Sequence, residues 1–154
     1  MMERVKILDW TIEVDRANTK TFQGHLLTPS ISCGCLYCQN FEKAVPNLPK
    51  KFVEVLTELG IDENKPAEVY KIYEVEKGLH FYGGWYHFIG RFLEGEDSYS
   101  ATDEKTRQAK FQQLDKGFSI GFTTTTNLVA KDFPRPVLQI EFTGTLPWLL
   151  DETP

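Results

Sequence analysis

Between Val69 and Leu93 the chain carries β-branched and aromatic residues too densely for much besides a sheet: Val69-Tyr-Lys-Ile-Tyr-Glu-Val75, then Leu79 to Tyr82, then Trp85 to Leu93. Such side chains fit a pleated surface and lose rotamer freedom in a helix. Glu76-Lys77-Gly78 makes a short hairpin loop with Gly at its left-handed position. Gly83-Gly84 reads as a second, two-residue turn or a bulge. The stretch therefore predicts an antiparallel meander. Aromatic residues make up 13% of the chain, which strengthens a sheet-rich reading.

The remaining segments fill in around that sheet. Val5, Ile7, Trp10, Ile12 and Val14 suggest one long strand or a bent pair. Phe22 to Leu27 reads as another strand, ending at Thr28-Pro29. Leu36 to Val45 suits a short helix stopped by Pro46. The clearest element is a helix from Pro49, with Phe52, Val53, Val55, Leu56 and Leu59 forming one apolar face. Gly60 supplies the left-handed stop, and Ile61 can fold back onto Leu56. Asp62 to Pro66 is a polar turn. Residues 94–116 are polar and weakly patterned, a loop insertion with a short helix from Thr102-Asp103-Glu104. Strands resume at Gly117 to Asn127 and Val137 to Thr143, broken by Phe133-Pro134-Arg135-Pro136. With no repeat or linker, residues 1–154 are expected to form one α+β domain. Its mostly antiparallel sheet would carry two short helices, both after the cysteine turn, on one face.

The net charge of −5, with no basic cluster beyond Lys50-Lys51, argues against a nucleic-acid partner. The first residues lack the basic-then-apolar run of a signal peptide, and no apolar stretch is long enough to span a bilayer. A cytoplasmic protein with reduced thiols and no membrane association is the expectation. The odd number of cysteines, three, also prevents complete internal disulfide pairing.

All three fall within six residues, Cys33-Gly-Cys35-Leu-Tyr-Cys38. Zinc takes thiolates about 2.3 Å from the metal on a tetrahedron, and a C-x-x-C turn brings two sulfurs together. Gly34 lets Cys33 curve in to join them, and the N-terminus of the next helix favours thiolate charge. With no fourth cysteine, the missing ligand must come from His25, His80, His87, a carboxylate or water. Two other readings stay open: reduced thiols filling a turn against the helix, and redox or nucleophilic use. The redox reading lacks a thioredoxin-like βαβ context.

If Gly83-Gly84 form a turn, Tyr82 faces Trp85, Phe81 faces Tyr86 and His80 faces His87. One sheet face would then carry His80, Tyr82, Trp85 and His87, with two imidazoles side by side. They could complete the metal site or line a pocket, or simply cover a half-buried sheet. A one-residue slip or a bulge at the glycines would separate them. Glu141, set between Ile140 and Phe142, is the carboxylate most worth following inward. No phosphate loop, H-E-x-x-H or G-x-S-x-G motif is present.

Several strings resemble an uncharacterised family of small bacterial proteins: Cys33-Gly-Cys-Leu-Tyr-Cys-Gln-Asn-Phe41, Gly60-Ile-Asp, Lys65-Pro-Ala-Glu-Val-Tyr70, Gly78-Leu-His-Phe-Tyr-Gly-Gly-Trp-Tyr-His-Phe-Ile-Gly90 and Leu146-Pro-Trp-Leu149. The likeness runs from the cysteine turn onward, apart from residues 94–116. It implies a bacterial cytosolic protein and brings no established activity.

The expected function is a zinc-bearing binding or structural module, with Cys33, Cys35 and Cys38 as ligands and one of His25, His80 or His87 completing the site. Its partner, a small ligand or another protein, is not specified by any motif. One alternative is a hydrolase or transferase using a metal or thiolate at Cys35 or Cys38 with His80 or His87. Another is an interaction module using the Tyr82/Trp85 face, for which a homodimer is one form.

Overall fold

A computed structural model describes residues 2–99 and 110–154, so the helix expected from Thr102 lies outside the described residues. In chain order the elements are β1 (Glu3–Ile7), β2 (Trp10–Val14), α1 (Arg16–Gln23), α2 (Pro29–Ser32), α3 (Leu36–Ala44), a 3-10 turn (Val45–Asn47), α4 (Lys50–Glu58), β3 (Glu68–Glu76), β4 (Leu79–Glu94), β5 (Gln112–Asp115), β6 (Phe118–Thr123) and β7 (Val137–Pro147). The strands form a seven-stranded antiparallel sheet in the order β1-β2-β4-β7-β6-β5, with β3 beside the first half of β4. The α+β expectation holds, with α3 and α4 following the cysteine turn and two further helices preceding it. None of the described helices is long and apolar enough to cross a membrane.

β4 does not turn at Gly83-Gly84. It runs straight through them for 16 residues, paired along its whole first half with β3 on one side and β7 on the other. The glycines are there for space. A Cβ on Gly83 would lie 2.5 Å from the Tyr70 ring, and one on Gly84 would lie 2.8 Å from both the Phe142 ring and the Glu68 carbonyl oxygen. One aromatic ring can therefore press against each side of the strand. The expected pairs of Tyr82 with Trp85 and His80 with His87 are accordingly absent, since their partners are Gly144, Glu141, Leu146 and Gln139 of β7.

Strand alternation then sorts the side chains. Tyr82, Tyr86 and Phe88 face the helices, with Ile140 and Phe142 of β7 and Phe118, Ile120 and Phe122 of β6. Phe142 is central: its ring stacks on Phe118 at 5.5 Å and meets Phe52 of α4 at 5.3 Å and Phe41 of α3 at 6.1 Å. Helix α4 presents Phe52, Val55 and Leu56 and ends as its sequence predicts. Gly60 has φ +79°, and the Ile61 N–H reaches back to the Leu56 carbonyl at 2.9 Å.

The segment expected as a strand over Phe22 to Leu27 is instead the end of α1 and the turn after it. Asp15 caps that helix through the Asn18 N–H at 3.1 Å. Thr19 and Gln23, one helical turn apart, are buried against β4 where neither β3 nor β2 reaches. The Thr19 hydroxyl accepts the Ile89 N–H at 3.0 Å, and the Gln23 side chain donates to the His87 carbonyl at 3.3 Å. A helix thus stands in for a missing length of strand.

Candidate metal centre

Cys33 ends α2, Gly34 turns the chain at φ +77°, Cys35 is the N-cap of α3, and Cys38 lies in its first turn. The turn is braced from both sides. The Cys33 N–H donates to Pro29 O at 2.8 Å, the Gln39 side chain donates to Gly34 O at 2.9 Å, and Glu42 of α3 accepts the Ser30 N–H at 3.1 Å. Helix α3 is itself pinned to the sheet through buried Asn40. Its amide donates to the Tyr82 hydroxyl and to Pro147 O, both at 3.1 Å, while its oxygen accepts the Leu149 N–H at 2.6 Å.

This scaffold gathers the three sulfurs within 4.8 Å of one another, with Cys33 and Cys35 exposed and Cys38 buried. Tetrahedral zinc–thiolate geometry sets sulfurs about 3.8 Å apart, so small side-chain rotations would close the set. Burial pushes the Cys35 thiol up, but the Cys38 N–H, the neighbouring thiols of Cys33 and Cys38 and the Tyr37 N–H together bring it below the ordinary thiol value. Those N–H groups act without a conventional capping hydrogen bond. Cys38 moves the other way, raised by burial and then by its hydrogen bonds with Cys35 and Cys33. The hydrogen bonds that converge on the Cys35 sulfur favour its thiolate form, while burial favours the thiol at Cys38.

No histidine joins the sulfurs in this group among the described residues. His80 is buried on the helix-facing side, bridged to Glu74 at 3.2 Å and packed 5.0 Å from the Trp148 ring. His87 lies on the opposite face, about 23 Å away along an extended strand. His25 follows α1, its ring 6.4 Å from that of Phe22. Beside the thiols is a cavity of about 310 Å³, lined in part by Cys33, Cys38 and Glu68. It shares Ser32, Pro66, Ala67 and Leu128 with a second cavity of about 260 Å³, where His25 and His87 lie. The structure therefore brings the cysteines together and sets two of the three histidines in an adjoining cleft.

The aromatic face expected from Tyr82 and Trp85 does not form. Tyr82 is fully buried under α3, whereas Trp85 lies on the other side of β4 and donates to Asn127 O at 3.0 Å. Four exposed apolar residues lie together on β3 instead: Tyr70, Ile72, Tyr73 and Val75.

Sequence reasoning pointed to Glu141 but missed what surrounds it. Glu141 is only 5% exposed and accepts the Tyr99 hydroxyl and the Gln139 amide, each at 2.6 Å. Gln139 in turn meets His87 Nε2 at 2.8 Å. The alternation Gln139-x-Glu141, facing Trp85 and His87 across the strands, was the available signal. It reads as a solvent face until Tyr99 and the loop at Asn127 cover it.

No family model matches this chain, and no curated protein or solved structure matches it either.

Proposed function

We propose that the chain is a metal-binding module in which the thiolates of Cys33, Cys35 and Cys38 hold one Zn²⁺ ion. The observation that carries this reading is the approach of all three sulfurs to within 4.8 Å on one braced turn. Soft thiolate donors favour zinc among the abundant divalent cations, and a reducing compartment such as the cytoplasm would keep them available. The fourth position would face the cavity beside Cys33 and Cys38, open to water, to Glu68 or to a donor on a bound molecule. Three thiols must lose their protons, so affinity should rise with pH.

Protein purified without added metal should carry about one equivalent of zinc. Cobalt loading should give sulfur-to-cobalt charge-transfer absorption that disappears in Cys35→Ser. Less than about a tenth of an equivalent of zinc, with three freely titrating thiols, would remove the proposal.

A second reading, a hydrolase or transferase, is favoured by one feature: the cavity beside the thiols adjoins the one holding His25 and His87. Turnover of an activated ester that stops in both Cys35→Ser and His87→Gln would support it. Turnover indifferent to either change would end it.

A further inference from the structure

The buried polar chain behind the second cavity fixes which nitrogen of His87 carries its proton. A carboxylate can only accept, so the Gln139 nitrogen must be the atom that meets Glu141 Oε1 at 2.6 Å. Gln139 Oε1 accepts the Asn127 backbone N–H at 2.9 Å, which fixes the same orientation independently. That oxygen lies 2.8 Å from His87 Nε2. Since an amide oxygen cannot donate, Nε2 must bear the hydrogen. Nδ1 is then a bare lone pair, and among the described residues it makes no hydrogen bond. It is not sealed off either, since among the described residues the one buried side-chain polar atom lacking a partner is Nδ1 of His80.

His87 is only 4% exposed, and the surface it retains lines the 260 Å³ cavity. Leu27, Leu128, Ala130 and Phe133 make most of that wall apolar, and Lys65 is its one ammonium group among the described residues. Lys65 Nζ donates to the Gln23 carbonyl at 3.0 Å, which holds it in place and leaves two donor hydrogens. Burial outweighs the Gln139 hydrogen bond and holds the imidazole below its ordinary pKa, which keeps Nδ1 unprotonated at neutral pH. The charged or titratable groups facing it are Lys65 and His25 across the cavity, with Glu141 behind Gln139.

From this geometry we propose that the cavity is a binding site for a small, mostly apolar weak acid, such as a phenol or enol. Its O–H would be accepted by His87 Nδ1 and its oxygen attracted by Lys65. When the proton transfers, the ligand O–H bond breaks, the Nδ1–H bond forms, and the pair becomes oxyanion and imidazolium. No other reactant is consumed. Gln139 still accepts from Nε2–H after the transfer, which favours the imidazolium.

The test uses full-length protein with 4-nitrophenol, whose anion absorbs visible light, and 4-nitroanisole, which lacks the acidic proton. In the free protein, long-range nitrogen–proton NMR should show His87 as the Nε2–H tautomer. Saturating 4-nitrophenol should move Nδ1 toward the protonated resonance and raise the anion band, while 4-nitroanisole does neither. Lys65→Met, in the turn before β3, should weaken 4-nitrophenol binding about tenfold. An Nδ1–H tautomer in the free protein would overturn the proposal. So would equal binding of phenol and anisole, no saturable phenol binding, or a Lys65→Met variant that binds as tightly. Each of these readouts can be taken on zinc-free protein, so failure here is distinguishable from failure of the thiolate site.

Discussion

At the residue scale, a glycine pair and a second position, one histidine, show how little the type of a side chain says without its neighbours. Gly83 and Gly84 carry the residue pair that favours a tight turn, yet they make flat contact surfaces for Tyr70 and Phe142. Gly84→Ala would drive a methyl group into a backbone oxygen and a buried ring, neither of which can easily yield. It should lower the unfolding free energy by about 1–3 kcal/mol, the usual range for overpacking. Denaturant midpoints should separate it from Gly78→Ala, where a Cβ meets nothing within 4 Å and the cost is confined to backbone strain. The second position is His87. Its folded pKa is depressed by burial, whereas an unfolded histidine takes up its proton near pH 6.5. Between those values the unfolded chain binds the extra proton, so stability falls as pH drops below about 6.5 and levels off beneath the folded pKa. The slope of melting temperature against pH over that window should be shallower in His87→Gln than in the unaltered protein. Parallel slopes would assign the pH response to other groups.

At the element scale, α1 is the least expected part of the fold. Phe22 to Leu27 has the apolar run of a short strand, and the cap by which Asp15 accepts the Asn18 N–H emerges only in the structure. The apolar period also gave no warning, because the residues α1 buries are Thr19 and Gln23, selected for hydrogen bonds to the exposed edge of β4. Helices α3 and α4 were readable because they bury hydrocarbon and end at Pro46 and Gly60. Thr19→Val keeps the shape and removes the acceptor, leaving the buried Ile89 N–H unpaired at a cost of about 1–3 kcal/mol. Hydrogen exchange at Ile89 should speed up selectively in Thr19→Val and recover in Thr19→Ser. If Ile89 exchanges at the same rate in Val and Ser variants, α1 is not serving as a surrogate strand.

At the scale of the whole molecule, the question is how far the fold depends on the thiolate cluster. The spacing Cys33-x-Cys35-x-x-Cys38 announced convergent sulfurs, and the turn between two helices supplies the convergence. The location of the histidines was not readable, because it depended on whether β4 turned or continued at its glycines. That continuity also decides the energetics. The sheet and the stack of Phe52, Tyr86, Phe118 and Phe142 are built from residues outside the cysteine turn, which contributes only Cys38 to the fully buried core among the described residues. α3 is held to the sheet by Asn40 and Tyr82. A zinc finger has no such core and unfolds when its metal is removed. Here, chelator-treated protein should keep its far-ultraviolet circular dichroism and unfold cooperatively. Free zinc at 100 times its dissociation constant should add about 2.7 kcal/mol to its stability by mass action. Cys35→Ser, at an exposed position, should abolish that increment and leave the metal-free stability within about 1 kcal/mol. Loss of secondary structure on chelation would mean that the metal nucleates the fold, and a zinc increment surviving Cys35→Ser would place the ion elsewhere.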